Sequence, residues 1–224
     1  MKVFEMLTGL FNDSEVMILD FNQIPSDAPP YKNIRLFFEK SRDHGIDPKL
    51  PQNRQRFNNY FLNKSGKRYL ISRYAEDRIE MLKGSKIAEE GRTIHLGIDI
   101  FSKNLETVFA PLNAEIVATG NEEGGHSFGH YLILKPDPEL TQNYIFLGHL
   151  SKTLPPLGTV TRGQKIAQLG DYTNGENGGW SRHLHVQLLS SLPDNGILPP
   201  GYSSRENLSQ NMMKYPDPSL LAFE

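Results

Sequence analysis

The segment His183–Leu189 alternates polar and apolar side chains, and this pattern constrains the fold of the chain most strongly. In a β-strand, alternate side chains point to opposite faces, so His183, His185 and Gln187 would share one face. The apolar residues between them would share the other face, where a hydrophobic core would hold the strand rigid. Two imidazoles that point in the same direction from one face suggest a metal site on that face.

From about residue 91 onward, short β-rich runs alternate with glycine-rich turns, which predicts a compact antiparallel β domain. The predicted strands cover residues 108–110, 114–119, 131–134, 144–147, 165–169 and 183–189. Two connections, residues 120–129 and 170–179, are long, polar and glycine-rich. Such connections are typical of loops that wall a cleft rather than of tight hairpins.

The N-terminal part of the chain has a different pattern. Residues 34–40 and 52–63 carry apolar side chains at helical spacing, and residues 67–82 predict a strand that leads into a helical turn. We therefore expect an α+β fold. It would comprise a helix-rich N-terminal segment (1–88), a mainly antiparallel β domain (89–190) and a C-terminal tail (191–224) that packs on the domain.

Composition excludes several classes of protein and site. The chain has 224 residues and no cysteine, so disulfides, thiolate metal sites and a cysteine nucleophile are excluded. A net charge of −2 argues against a nucleic-acid partner, and no apolar stretch is long enough for a membrane span. The N-terminus has no signal-peptide pattern, so we expect a cytoplasmic protein, or a periplasmic or extracellular one if another export route operates.

Further metal-ligand candidates lie upstream of the His-x-His pair. His95 and Asp99 are four residues apart, and His149 stands alone in the sequence Leu-Gly-His-Leu. Four residues of extended chain span roughly 13 Å, which is too far for two ligands of one ion. We therefore expect the chain to bend between His95 and Asp99, at Gly97.

Two histidines and one aspartate as ligands would leave a fourth position for water, as in a hydrolytic zinc site. Two imidazoles would then remain to transfer protons and to stabilise a developing oxyanion near neutral pH. His149 and one member of the pair His183 and His185 are suited to that role. The spacing alone does not decide which member is the ligand.

The order His-x-x-x-Asp, an isolated His-Leu and then His-x-His resembles the lysostaphin-type (LytM-like) zinc metallopeptidases. The resemblance covers about residues 91–190, and within this range it includes Ala110-Pro111 and the Gly163-Gln164 turn. It implies a β-sheet domain related to the duplicated hybrid motif. It also implies a zinc-dependent endopeptidase that hydrolyses peptide bonds, of the peptidoglycan cross-link type.

The resemblance assigns His95, Asp99 and His185 as ligands of one zinc ion, and His149 with His183 as the uncoordinated catalytic pair. The substrate would be a peptide or a peptidoglycan-type peptide. In some relatives a preceding segment narrows the cleft as a pro-segment, so residues 1–88 are expected to cover it.

Two alternatives remain open from the sequence. One is a non-catalytic zinc-containing module that binds a ligand or regulates, and it is motivated by the missing signal peptide and by an altered approach to His-x-His. The other is a phosphate carrier, since related phosphotransfer domains also place two histidines together.

Other side chains near the motifs receive weaker predictions. Trp180 would either stack on substrate or close the core, and Arg182 is expected to be solvated rather than to bind a substrate carboxylate. His126 and His130 are expected to be surface or packing residues, and His44 is assigned no role.

Overall fold

The computed structural model describes residues 16–19, 44–193 and 196–220. The helices are α1 (Pro51–Ser65), α2 (Ile79–Leu82), α3 (Lys86–Glu89) and α4 (Leu208–Lys214), with a 3₁₀ turn at Pro218–Leu220. The strands are β1 (Val16–Leu19), β2 (Tyr69–Ser72), β3 (Ile94–His95), β4 (Ile98–Ser102), β5 (Thr107–Phe109), β6 (Ala114–Glu122), β7 (Gly129–Pro136), β8 (Tyr144–Leu150), β9 (Gly158–Val160), β10 (Lys165–Gln168), β11 (His183–Leu189) and β12 (Tyr202–Ser203). The α+β prediction, with a mainly antiparallel sheet, is confirmed.

Among the described residues, eight strands form one sheet in the order β1-β2-β4-β11-β8-β7-β6-β9. All neighbouring pairs are antiparallel except β1 and β2, which are parallel. Two small ladders, β10 with β5 and β12 with β3, lie beside it. The strand β11 is central, and its residue His185 is opposite Asp99 of β4 and Gly148 of β8.

The two faces of β11 have the character that the alternation predicted. Leu184, Val186 and Leu188 lie in the main hydrophobic core together with residues of β2, β4, β6, β7 and β8. Each of the three is at most 2% exposed. Burial of one such side chain contributes about 1.5–3 kcal/mol, so the apolar face anchors the polar face of the same strand.

Helix α1 confirms the helical prediction for residues 52–63. Pro51 stands at its first turn, where the missing N–H costs no hydrogen bond, and Gly66 ends it in the left-handed conformation with φ 68°. Phe57 and Leu62 pack in a second cluster with Phe101 and other residues near the centre of the sheet. The helical prediction for residues 34–40 lies outside the described residues.

Strand β2 and helix α2 agree with the prediction of a strand and a helical turn in residues 67–82. However, β2 pairs with β4 in the main sheet, so residues before 88 contribute to the β domain. Deletion of residues 1–88 would therefore remove a sheet strand as well as any cover over the cleft. The predicted domain boundaries at 88 and 190 stay predictions.

Residues after β11 contact the sheet at several points. Strand β12 pairs with β3 through Tyr202 and His95, and the backbone N–H of Ser190 donates to the carbonyl of Lys214. Within residues 16–19, 44–193 and 196–220, no helix has the length and apolar character needed to cross a membrane.

Candidate metal centre

The side chains of His95, Asp99 and His185 converge on one point. His95 Nε2 lies 3.1 Å from His185 Nδ1, and Asp99 Oδ1 lies 2.9 Å from His185 Nδ1 and 3.4 Å from His95 Nε2. Zinc binds such atoms at about 2.0–2.2 Å, so two ligand atoms of a tetrahedral site lie about 3.3 Å apart. The three observed separations are close to that value, and each residue is 2% exposed.

A break between two strands brings His95 and Asp99 together. Strand β3 ends at His95 and β4 begins at Ile98, so the chain bends at Leu96 and Gly97 as predicted. A Cβ atom at Gly97 would lie 2.5 Å from His185 Cε1 and 2.6 Å from the carbonyl oxygen of Val186. Glycine is therefore needed here for the close approach of β11 as well as for the bend.

A neighbouring amide fixes the orientation of the His185 ring. The NH₂ group of Gln187 donates to the carbonyl of Pro200 at 3.3 Å, so its Oε1 faces His185 Nε2 at 3.0 Å. An amide oxygen only accepts, so Nε2 carries the hydrogen and Nδ1 presents its lone pair to Asp99 and His95. Metal-binding histidines are oriented by this kind of hydrogen bond.

The donor set fits a divalent cation. Burial, followed by the positive charge of Arg78, holds the pKa of His95 well below its usual value, so its ring is neutral and offers a lone pair. Two nitrogen lone pairs and a carboxylate oxygen at about 3 Å repel one another unless a proton or a cation lies between them. His95, Asp99 and His185 are the group that could hold a metal ion among the described residues.

The second oxygen of Asp99 is held by an arginine that sequence reasoning missed. Arg78 Nη1 donates to Asp99 Oδ2 at 2.6 Å, and Arg78 Nε donates to Glu76 Oε1 at 2.6 Å. All three side chains are at most 3% exposed. Burial acts to raise the pKa of Asp99, but His95 and Arg78 outweigh it and hold that pKa well below its usual value. Asp99 is thus an oriented, ionised carboxylate.

Replacing Arg78 with methionine should lower the free energy of unfolding by about 3–5 kcal/mol, because it leaves buried carboxylates without their cation. Burial raises the pKa of Glu76 to about 7 although Arg78 opposes this, so urea unfolding would be measured at about pH 8, where both carboxylates are ionised. Arg92→Met is the matched control, since its ion pair with Glu90 is solvent-exposed and screened, so its loss should change the free energy of unfolding little. Equal losses in the two variants would contradict the buried network.

His149 lies at the end of β8 with a positive φ of 63°, an uncommon conformation for a residue other than glycine. Its backbone N–H donates to the carbonyl of Phe128 at 2.8 Å, which holds the backbone in place. Its Nδ1 lies 2.9 Å from the carbonyl of Asn177, so Nδ1 carries the hydrogen and Nε2 is an acceptor. Burial, then His183 and His185, keeps its pKa well below the usual value.

His183 is held in a similar way. Its Nδ1 donates to the carbonyl of Ser181 at 2.7 Å, which leaves Nε2 as an acceptor 3.6 Å from Asp99 Oδ1. Burial lowers the pKa of His183 to about 4. Its ring lies 4.3 Å from the ring of His149, measured between centroids. The two rings therefore form a neutral pair beside the three converging donors.

All five predicted site residues line one cavity of about 240 Å³. Phe101, Phe128, Trp180 and Tyr202 and the arginines Arg54, Arg78 and Arg92 also line it. Two loops differ in what they contribute to its wall. The loop between β6 and β7 lines the cavity with His126, Ser127 and Phe128, as predicted for residues 120–129, whereas the loop between β10 and β11 contributes only Trp180 and no residue of 170–179 lines this cavity. The two loops contact each other through Trp180 Nε1, which donates to the carbonyl of Ser127 at 3.0 Å.

The other singled-out residues have mixed outcomes. Trp180 is 5% exposed and packs in the second cluster, which agrees with the core interpretation. It also lines the cavity, and stacking on substrate stays a prediction. Arg182 is partly exposed and pairs with Asp171 at 3.0 Å. His126 lines the cavity, with its ring 4.8 Å from that of Trp180, although the sequence favoured a surface or packing role. His130 is half-buried and His44 is exposed, and neither lines this cavity.

Residues 93–195 match the family model described as peptidase family M23. This region, just under half of the chain, is similar to peptidase family M23. The M23 region contains His95, Asp99, His149, His183 and His185, whereas Arg78 and helix α1 precede it. Comparison with the curated proteins gave no match.

Three solved structures have partial similarity to this chain. A zinc-containing peptidase from Vibrio cholerae is 25% identical with a TM-score of 0.35, and the match covers 43% of this chain and 27% of that one. LytU is 24% identical with a TM-score of 0.36, covering 55% of this chain and 80% of LytU. The catalytic domain of lysostaphin from Staphylococcus simulans is 21% identical with a TM-score of 0.30, covering 53% and 80%. The match therefore spans about a quarter of the Vibrio cholerae peptidase.

Proposed function

We propose that this protein is a zinc-dependent metalloendopeptidase that hydrolyses peptide bonds, of the peptidoglycan cross-link type. The observation that carries the proposal is the convergence of His95, Asp99 and His185 beside the neutral pair His149 and His183, in one cavity. The match of residues 93–195 to the model of a peptidase family supports the peptidase activity. The peptidoglycan type of substrate rests on the sequence resemblance, and the cellular compartment stays a prediction.

Zinc is the metal we propose, held by His95 Nε2, Asp99 Oδ1 and His185 Nδ1. Neutral imidazole nitrogens with one carboxylate suit zinc, and hard cations such as Mg²⁺ prefer all-oxygen sites. The chemistry that zinc supplies when bound is Lewis acidity toward water and toward a peptide carbonyl. Three protein donors would leave at least one coordination position for water.

The histidine pair would move protons. The Nδ1 atoms of His149 and His183 donate to backbone carbonyls, so each ring presents Nε2 as its acceptor. Since both pKa values are lowered, both rings are unprotonated at neutral pH. One of them can accept a proton from the attacking water and return it to the departing amine nitrogen.

The direct test is mass spectrometry of a muropeptide and oligoglycine pool incubated with the full-length protein. We expect cleavage products that disappear when 1,10-phenanthroline is present and return when zinc is added back in excess. The products would identify the bond. Cleavage unaffected by the chelator would contradict a metal mechanism, and an untouched pool with bound zinc would favour the non-catalytic module.

A further inference from the structure

Arg54 reaches the cavity from outside the M23 region. It lies on helix α1, is 5% exposed, and its guanidinium carbon is 4.6 Å from the centre of the Trp180 ring. The Trp180 ring in turn lies 6.1 Å from that of His149 and 6.4 Å from that of His183, between centroids. One aromatic ring therefore separates this guanidinium from the proposed catalytic pair.

The guanidinium of Arg54 has little to bind in the protein. Its Nε donates to the carbonyl of Pro48 at 3.2 Å. In the part of the chain that the structure describes, its two terminal nitrogens have no hydrogen-bond acceptor, and no carboxylate lies within 4.0 Å. The two terminal NH₂ groups of Arg54, which lines the cavity, are thus available to bind an anion.

The two other arginines that line the cavity differ from Arg54. Arg78 pairs with Glu76 and Asp99, and Arg92 pairs with Glu90. A buried cation is costly unless an anion or hydrogen bonds compensate for lost water. In agreement with this, burial lowers the pKa of Arg54 to about 10, while Tyr202 opposes burial, as do the carboxylates of Asp99 and Asp47 from beyond ion-pair distance. A carboxylate that enters the cavity would supply the anionic partner that the Arg54 guanidinium lacks.

We propose that Arg54, supported by Trp180, binds a carboxylate of the substrate. The substrate would then be a peptide with a carboxylate close to the bond that is cut, either its C-terminal carboxylate or an acidic side chain. Guanidinium and carboxylate are both planar and form two parallel hydrogen bonds, and stacking on Trp180 holds the plane of the guanidinium. The cleavage part of this statement rests on the proposed function, but the binding part does not.

Isothermal titration calorimetry of the full-length protein tests binding separately from hydrolysis. In one arm, N-acetyl-diglycine is compared with its amide. In the other, the α-amide of N-acetyl-glutamate is compared with that of N-acetyl-glutamine. In one of the arms we expect the acid to bind about 10- to 100-fold more tightly than its neutral partner. A preference in the first arm would indicate a C-terminal carboxylate, and a preference in the second would indicate an acidic side chain. Each titration is run with and without a chelator, because a bound metal also attracts carboxylates.

Variants assign the preference to Arg54. Arg54→Gln should abolish it in the presence of chelator, and Arg54→Lys should weaken it several-fold, because an ammonium group lacks the paired planar donors. Arg56→Gln is the matched control, since Arg56 lies on the exposed face of the same helix. Thermal unfolding checks that each variant is folded. If Arg54→Gln does not fold, the wild-type pairs and Arg54→Lys still decide.

Equal affinity of wild type for acid and amide in both arms would overturn the proposal, as would no binding of any probe up to about 20 mM. A preference that survives Arg54→Gln would also overturn it. A preference that depends on Arg54 in a protein without hydrolytic activity would keep the subsite and reject the peptidase. Hydrolysis without the preference would do the reverse, so the two failures are distinguishable.

Discussion

Replacing His149 with alanine is expected to lower kcat by about 10²- to 10⁴-fold and to leave the metal content unchanged. The ring is held by Asn177 and lies next to His183, but its nitrogen atoms are not among the three converging donors. Its removal would therefore take away a proton acceptor without disturbing the proposed ligands. The rate would be measured on the peptide identified by mass spectrometry, and the metal by elemental analysis.

The control for His149 is His44→Ala, because His44 is exposed and lies away from the cavity. This variant should keep both activity and metal. Full activity in His149→Ala would show that the catalytic assignment is wrong. Loss of the metal in His149→Ala would instead contradict the division between ligands and proton-transfer residues.

Replacing His185 with alanine is expected to abolish both metal binding and hydrolysis. Only two ligands, His95 and Asp99, would remain. Loss of a residue that merely orients a ligand lowers metal affinity by up to about 100-fold, so loss of the ligand itself should lower the zinc affinity by more than that. The measurement is a zinc titration against a competing chelator. Thermal unfolding gives a second readout, since added zinc should raise Tm in wild type and not in the variant.

His183→Ala is the matched comparison for His185→Ala. The two histidines lie on one face of β11, two residues apart, and both are buried. We expect His183→Ala to retain zinc and to lose turnover. If zinc were lost in His183→Ala and retained in His185→Ala, then His183 would be the metal ligand and His185 the proton-transfer residue.

Much of the site could be predicted because its information is local. The two-residue period of β11 placed His183 and His185 on one face, and the four-residue spacing of His95 and Asp99 required the bend that occurs at Gly97. Both arguments use only the geometry of a few consecutive residues. The contact between these segments rests on the pairing of β4 with β11, which the residues alone did not specify.

The residues that sequence reasoning missed act over long separations. Arg78 reaches Asp99 across 21 positions, and Arg54 stacks on Trp180 from a helix that precedes the sheet. An arginine on or beside a helix is typically solvated, so nothing local indicates that these side chains are buried. Arg182, which the sequence predicted to be solvated rather than to bind a substrate carboxylate, is partly exposed and pairs with Asp171.

The role expected for residues 1–88 also depends on such contacts. Gln55 of α1 accepts a hydrogen bond from the backbone of Arg182 at 2.7 Å, and Asn58 donates to Ser181. The helix therefore supports the backbone immediately before His183. A segment with these contacts positions the site, whereas the sequence suggested only that it covers the cleft.

The register of β11 has a consequence for the order of folding. Its pairing brings His185 to Asp99, which is 86 positions away along the chain, and His95 is 90 positions away. Closing a loop of that length is entropically costly, so long-range strand pairs form slowly and only together with many other contacts. His185 therefore meets His95 and Asp99 only rarely in an unfolded chain. A metal ion should therefore bind late in folding, after the central strands have paired, and should stabilise a sheet that is already formed.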